Sequence, residues 1–192
     1  IRHVEHDSNA SDVYAAAFED AVTGGYGYFR VTTEYEREDS FYQCPKIKRI
    51  LDPKTVKLDP FHEDPTGADA MWGIVHTRYS CDEFEKAWPD AEPINAFGSD
   101  NAFWADREAG ILVAEYFVVE EKEEKLHQLE DGSIVWDSEA TKRQKAGAIR
   151  SRMSCRRRVM WYKIGGQGEI LEDPVEFPSR YVPIIRMPGR EW

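Results

Sequence analysis

The second half of the chain carries strand-like segments around an Asp-Gly pair, and this pattern restricts the fold more than any other. Residues 111–120 and 134–136 are rich in β-branched and aromatic residues and predict strands, with a weaker strand at 124–129. Asp131-Gly132 is a typical two-residue hairpin signal. Because a tight hairpin can join only antiparallel strands, we predict antiparallel pairing in this region.

Helices are predicted at separated places rather than in alternation with strands. One covers 11–22, with Ser11 or Asp12 as its cap. Another follows Ser80, where Glu83 completes a capping box, and a third covers 138–149 with Ser138 as its cap. Further strands are predicted at 26–36, 46–51, 55–58, 71–79 and 156–164. With few βαβ alternations, the order predicts an α+β fold of mainly antiparallel sheets and hairpins with a few separated helices.

The element order suggests two parts of one larger subunit. Residues 1–108 form an α+β segment with a helix, strands, an acidic loop and a short helix; residues 109–192 form a β-meander with one inserted helix. The chain opens at Ile1 and ends at Trp192 without a polar tail, so we expect a fragment excised from a larger protein. No stretch approaches the apolar length of a membrane span, and we expect no membrane partner.

Charge is unevenly distributed along the chain. The net charge is −11, yet residues 139–163 hold nine Lys or Arg and one acidic residue. Within this stretch, Arg150, Arg152, Arg156, Arg157 and Arg158 form a basic island. Our preferred interpretation is that the basic island pairs with an acidic neighbour, such as the acid-rich face 115–124 of an identical subunit. A merely solvated basic face is the second interpretation. Nucleic-acid contact ranks third, because general nucleic-acid binders are usually basic overall.

An acidic loop is the densest group of oxygen ligands in the sequence. It contains Asp59, His62, Glu63, Asp64 and Asp69, and hard cations such as Mg²⁺ prefer oxygen ligands. The spacing does not match an EF-hand. A solvated turn held by Asx-type hydrogen bonds explains the same residues better, so we expect no metal and no cofactor.

Catalytic motifs are missing from the sequence. His76 lies in a predicted strand with neither a nucleophile motif nor a metal-binding motif beside it. The glycines of 165–168 lack the Gly-Lys-Ser/Thr ending of a phosphate loop and instead suggest a hairpin. Three unclustered cysteines, Cys44, Cys81 and Cys155, indicate reduced thiols. We therefore expect a structural protein and not an enzyme.

Four blocks of the sequence carry a resemblance to known proteins: AFEDAVTGGYGYFRV, residues 46–90, VAEYFVVEEKEEKLHQLEDGSIVW and residues 155–189. In this order they resemble phage portal proteins of the short-tailed, enterobacterial-phage type. The second block contains Asp59-Pro60, Asp69-Ala70, an aromatic strand, the S-x-x-E-F start at Ser80 and Trp88-Pro89. Together the blocks cover nearly the whole chain.

The resemblance implies a subunit of a dodecameric ring at one capsid vertex, with this chain in the middle of the subunit. Its implied partners are identical subunits, the terminase, the tail adaptor, scaffolding and capsid proteins, and double-stranded DNA passing through the channel. The protein would be part of the virion of a phage or prophage and would be assembled in the bacterial host cytoplasm. No catalytic site is implied, because ATP hydrolysis belongs to the terminase.

Two other functions stay open from the residues themselves. One is a metal-dependent phosphoesterase or nuclease that uses Asp59, His62, Asp64 and Asp69. The other is a small nucleic-acid-binding module that uses the arginines of the basic island, whose binding would weaken steeply with salt.

Overall fold

The computed structural model describes residues 2–91, 105–106, 110–165 and 168–189. The helices are α1 (Arg2–Asp7), α2 (Ala10–Gly24), α3 (Cys81–Ala87) and α4 (Lys142–Ala146). The strands are β1 (Tyr26–Tyr35), β2 (Gln43–Arg49), β3 (Val56–Leu58), β4 (Trp72–Tyr79), β5 (Ala105–Asp106), β6 (Gly110–Gln128), β7 (Ile134–Trp136), β8 (Arg150–Ile164), β9 (Val175–Phe177) and β10 (Ile184–Pro188).

The strands form two antiparallel sheets. One has three strands in the order β10-β1-β2. The other has seven strands, with the path β3-β4-β6-β8-β9 and with β5 and β7 also paired to β6. This arrangement confirms the predicted α+β class with mainly antiparallel sheets and separated helices.

Each sheet combines strands from the two predicted parts of the chain. In the smaller sheet β10 pairs with β1, and in the larger sheet β4 pairs with β6. The predicted boundary between residues 108 and 109 lies outside the described residues, so a division at that point stays a prediction. The glycine turn predicted at 165–168 also falls partly outside them, at residues 166–167.

The capping box before α3 is present as predicted, whereas the helix predicted at 138–149 is wrong in its start and cap. Helix α4 begins after Thr141, whose side chain accepts from the Gln144 N–H in a second capping box. Ser138 is held elsewhere, because its backbone N–H donates to the Glu124 carboxylate. Strand β8 begins directly after this region at Arg150, six residues before the start of the strand predicted at 156–164.

Strand β6 is also longer than predicted. The segments predicted at 111–120 and 124–129 form one continuous strand through the charged run between them. Pairing with β8 from Ala114 to Gln128 provides the backbone hydrogen bonds that a run of glutamates would otherwise find in water.

The main core lies between the two sheets. Phe117, Val119 and Val159 of the larger sheet are buried against Tyr28 and Ile184 of the smaller one. Burying an apolar side chain of this size contributes roughly 1.5–3 kcal/mol, so this cluster is what joins the sheets.

One ion pair joins the same two sheets inside the molecule. Arg30 Nη1 of β1 lies 2.8 Å from Glu115 Oε1 of β6, and the Thr77 hydroxyl donates to the same oxygen at 3.2 Å. Removing either charged partner would leave the other charge largely desolvated, which is costly.

Helix α2 packs directly on β1 at a glycine. A Cβ at Gly27 would overlap the carbonyl oxygen of Ala17 and lie 2.8 Å from its carbonyl carbon. Ala17 and Ala21 are buried in this contact, so small residues on the helix allow the close approach. The absence of a side chain at Gly27 therefore sets the distance between the helix and the smaller sheet.

We predict that Gly27→Ala lowers the free energy of unfolding by roughly 2 kcal/mol or more, because backbone atoms of α2 must move. Gly24→Ala is the matched control, since nothing lies within 4 Å of a Cβ at that helical position. Alanine there should leave stability unchanged or raise it by up to about 1 kcal/mol. Urea unfolding followed by tryptophan fluorescence measures both. Equal effects of the two changes would contradict the close packing.

Candidate functional site

Strands β6 and β8 form a long ribbon that continues beyond β4 and β9, and β7 pairs with its far end. They pair over fifteen positions, from Ala114 with Ile164 to Gln128 with Arg150. Strand β4 covers β6 only as far as Val118, and β9 pairs with β8 only over residues 159–161. At about 3.4 Å per residue the remaining ribbon is about 30 Å long. We call residues 120–158 the arm.

The pairing register places the acidic run of β6 beside the basic island of β8. Glu120 lies opposite Arg158, with their charged atoms 3.2 Å apart, and Glu121 lies opposite Arg157 at 3.7 Å. Cross-strand pairs of opposite charge stabilise a sheet by roughly 0.2–1 kcal/mol each. These two arginines therefore neutralise acidic residues of their own chain.

Arg156 is the most enclosed of the predicted arginines. Its guanidinium lies 3.8 Å from Glu124 Oε2, pairs with Glu139 and donates to the Ser138 hydroxyl at 3.2 Å. It also lies over the Trp136 ring, 5.5 Å from the ring centroid, in a cation–π contact. Arg156 thus ties β8 to the segment that follows β7.

Glu124 is a buried carboxylate at the centre of this contact. Hydrogen bonds from Ser138, with the nearby charges of Arg156 and Lys122, hold the pKa of Glu124 below its ordinary value. These partners compensate for removing the charge from water. Sequence patterns gave no sign of this residue, because it lies in a run of glutamates that resembles a solvated strand end.

His127 forms a second buried polar group nearer the end of the arm. Its Nδ1 lies 2.8 Å from the Ser151 hydroxyl, and its Nε2 lies 2.9 Å from Asp137 Oδ1. Asp137 also pairs with Lys145 at 2.8 Å. The hydrogen bond from Lys145, and to a smaller extent the one from His127, lowers the pKa of Asp137. Since the group joins β6, β8, α4 and the chain after β7, it holds the arm together.

Arg150 and Arg152 differ from the other three arginines. Both are exposed, and the Arg152 guanidinium donates to the neighbouring Ser154 hydroxyl at 3.2 Å. Within the described part of the chain, neither has a carboxylate partner within 4.0 Å. The predicted interface residues thus divide into three paired within the chain and two available to a partner. Their role at an interface stays a prediction.

The predicted acidic loop is folded around its own carboxylates. Asp59 accepts from the N–H groups of Phe61 and Met71, both at 3.0 Å, and Asp69 accepts from those of Glu63 at 2.6 Å and Asp64 at 3.1 Å. These backbone hydrogen bonds lower the pKa of Asp69. The hydroxyl and the backbone N–H of Thr66 both donate to Asp64, and these hydrogen bonds lower the pKa of Asp64. The loop has the Asx-type geometry of a turn.

No metal-binding group is formed by the residues that the structure describes. Among them, no three His, Cys, Asp or Glu side chains converge in a way that could hold an ion. His62, the remaining predicted ligand, is half-buried in the same loop. The helices within these residues are also too short or too polar to cross a membrane.

The most extended feature of the described residues is thus an antiparallel ribbon with ion pairs between its two strands. All of residues 1–192 match the Phage P22-like portal protein family, and the chain belongs to that family. It is 25% identical to a portal protein of Acyrthosiphon pisum secondary endosymbiont phage 1, over 92% of this chain and 27% of that protein. The chain therefore spans about a quarter of the length of this curated relative, and the predicted family is confirmed.

We predict that Glu124→Gln destabilises the protein at pH 7 and that this effect becomes smaller as the pH falls. A carboxyl with a lowered pKa stabilises the folded state above its unfolded pKa of about 4.3, and that contribution is lost as pH falls through the folded pKa. Urea unfolding of both proteins at pH 7 and pH 3 measures the difference.

Glu123→Gln is the control for this prediction. Glu123 is the exposed neighbour on the opposite face of β6, and it forms no ion pair within the described residues. Its substitution should change stability little at either pH. A Glu124→Gln effect that persisted unchanged at pH 3 would show that shape, and not charge, explains the loss.

Proposed function

We propose that this chain is a non-enzymatic segment of a phage portal subunit. The subunit assembles with identical copies into a ring at a capsid vertex, and double-stranded DNA passes through its channel. The observation that carries this proposal is the family match over every residue of the chain. The ring also provides the docking platform for the terminase and the tail adaptor during DNA packaging, contacts scaffolding and capsid proteins, and becomes part of the virion after assembly in the host cytoplasm.

The charge distribution supports a ring of this kind. A closed ring of identical subunits needs an interface in which one patch meets a different patch of the neighbour. The arm supplies exposed Arg150 and Arg152, while the rest of the chain is strongly acidic. A channel wall of net negative charge would repel DNA and so let it slide.

The two alternative functions have less support. A metal-dependent nuclease would need the carboxylates of the acidic loop, and the backbone hydrogen bonds of the loop already engage them. A nucleic-acid module would need several free arginines, but Arg156, Arg157 and Arg158 pair with glutamates, which leaves Arg150 and Arg152 of the basic island. Neither alternative is favoured by a specific contact.

We expect the full-length gene product to form rings with a central hole in negative-stain electron microscopy. Ring formation follows from the family and is independent of any single contact described above. A uniform population of monomers at assembly concentrations would overturn the portal proposal, and metal and duplex-DNA binding would then be tested.

The interface prediction needs a variant that leaves the arm intact. Replacing Arg156, Arg157 and Arg158 with alanine would break pairs within the chain, so a loss of assembly would be ambiguous. We therefore predict that the double variant Arg150→Glu, Arg152→Glu keeps the wild-type melting temperature within about 2 °C, as expected of exposed sites. Its yield of rings in microscopy and sedimentation should fall several-fold.

The matched control is Lys54→Glu with Lys57→Glu, which makes the same change in net charge at two exposed positions far from the arm. It should assemble like the wild type. Wild-type assembly of the arm variant, or an equal loss in the control, would remove Arg150 and Arg152 from the interface.

A further inference from the structure

One edge of the arm lacks a neighbouring strand. Strand β8 pairs with β6 over 150–164, but on its other side β9 covers only residues 159–161. Among the described residues no strand pairs with the outer edge of β8 from 150 to 158. An exposed strand edge of this length is a template for pairing with another chain.

The hydrogen bonds of the ribbon identify which backbone groups point outward. The Val119 N–H donates to the Met71 carbonyl, and the Lys125 carbonyl accepts from Asp137, so the odd-numbered residues of β6 face away from β8. Ladder bonds alternate, and even-numbered residues lie opposite even-numbered residues in this register. The outward N–H and C=O groups in the free part of β8 therefore belong to 151, 153, 155 and 157. The Lys163 carbonyl, on the same edge, accepts from Leu171 at 2.9 Å.

A groove of about 510 Å³ runs beside this edge, and five of its thirteen lining residues are arginines. Arg152, Arg156 and Arg158 come from β8, and Arg180 comes from the chain after β9. Within the described residues Arg152 and Arg180 have no carboxylate partner. The groove therefore combines unpaired backbone groups with uncompensated positive charge.

Strand β9 already shows how this edge accepts a strand. It pairs with β8 through Phe177 and Val159, and its Glu176 carboxylate lies 3.6 Å from the Arg158 guanidinium. The chain then turns away at Pro178, because the Ser179 N–H donates back to the Phe177 carbonyl at 2.7 Å and not to β8. The next positions along the edge have the same chemistry but lack a strand.

We propose that the free edge of β8, residues 151–157, binds an extended acidic segment of a partner polypeptide as an added strand. The incoming backbone would pair with the outward groups of 151, 153 and 155, and its carboxylates would meet Arg152 and Arg180. Alternating donors and acceptors match a peptide backbone, whereas phosphates would meet the outward carbonyl oxygens and be repelled. The inference deepens the proposed interface role of the arginines and rests on it, but it does not require a ring.

The test measures binding of a labelled peptide to the full-length gene product by fluorescence anisotropy. The probe is a seven-residue peptide of alternating Glu and Val. Met153→Pro should weaken its binding at least tenfold, because proline removes an outward N–H and places its ring against the incoming strand, while no ladder bond to β6 is lost. Met153→Val keeps the N–H and should bind like the wild type.

A second variant guards against local unfolding by the proline. Arg152→Glu with Arg180→Glu leaves the backbone unchanged and should also weaken binding at least tenfold. In the wild type, the peptide should slow amide hydrogen exchange within 151–157. A peptide with Lys in place of Glu, and a Glu-Val peptide methylated on alternate amide nitrogens, should not bind.

Each outcome decides the proposal. The proposal is overturned if the wild type does not bind the peptide, or if the Pro and Val variants bind it equally. It is also overturned if a 20-nucleotide single-stranded DNA binds more tightly than the peptide and the arginine variant loses that binding. Microscopy of the same samples separates the two proposals. Rings without peptide binding refute the added strand alone, and peptide binding without rings refutes the ring.

Discussion

The pairing of β6 with β8 is the contact on which the rest of the structure depends. One end of this ribbon supplies Phe117, Val119 and Val159 to the core, and the other end forms the arm. A shift of one residue in the register would move the buried residues to the opposite face of the sheet and separate the charged pairs. Apolar burial at one end therefore fixes which charges meet along the arm, beginning with Glu120 and Arg158 directly beside the core.

This register explains why a chain of net charge −11 can carry a concentrated basic segment. The basic island lies on a strand whose neighbour is the most acidic strand of the molecule, so most of its charge is neutralised locally. The sequence predicted acidic and basic partners but assigned them to separate subunits. The register could not be foreseen, because 21 residues separate β6 from β8 and no tight turn sets their alignment.

Local signals were predictable, and contacts distant in sequence were not. The capping box at Ser80 depends on neighbouring residues and is present in the structure. A hairpin also forms at Asp131-Gly132, but the Leu129 N–H donates to the Ser133 carbonyl, so its loop has three residues and not the predicted two. The predicted start of the helix at 138–149 was wrong, because the Ser138 N–H donates to Glu124, which lies on a strand distant in sequence. The buried role of His127 was missed for the same reason, since its partners come from other segments.

The arginines on the free edge of β8 also limit what can bind there. Two identical edges brought together would place Arg152 and Arg180 of each copy near those of the other, and like charges at close range oppose pairing. Lysines and arginines often protect sheet edges from indiscriminate association in this way. The same charges attract an acidic strand, as Glu176 in β9 illustrates within the chain. An edge that repels its own copy and accepts an acidic segment is selective without a deep pocket, because the partner must supply both an extended backbone and carboxylates.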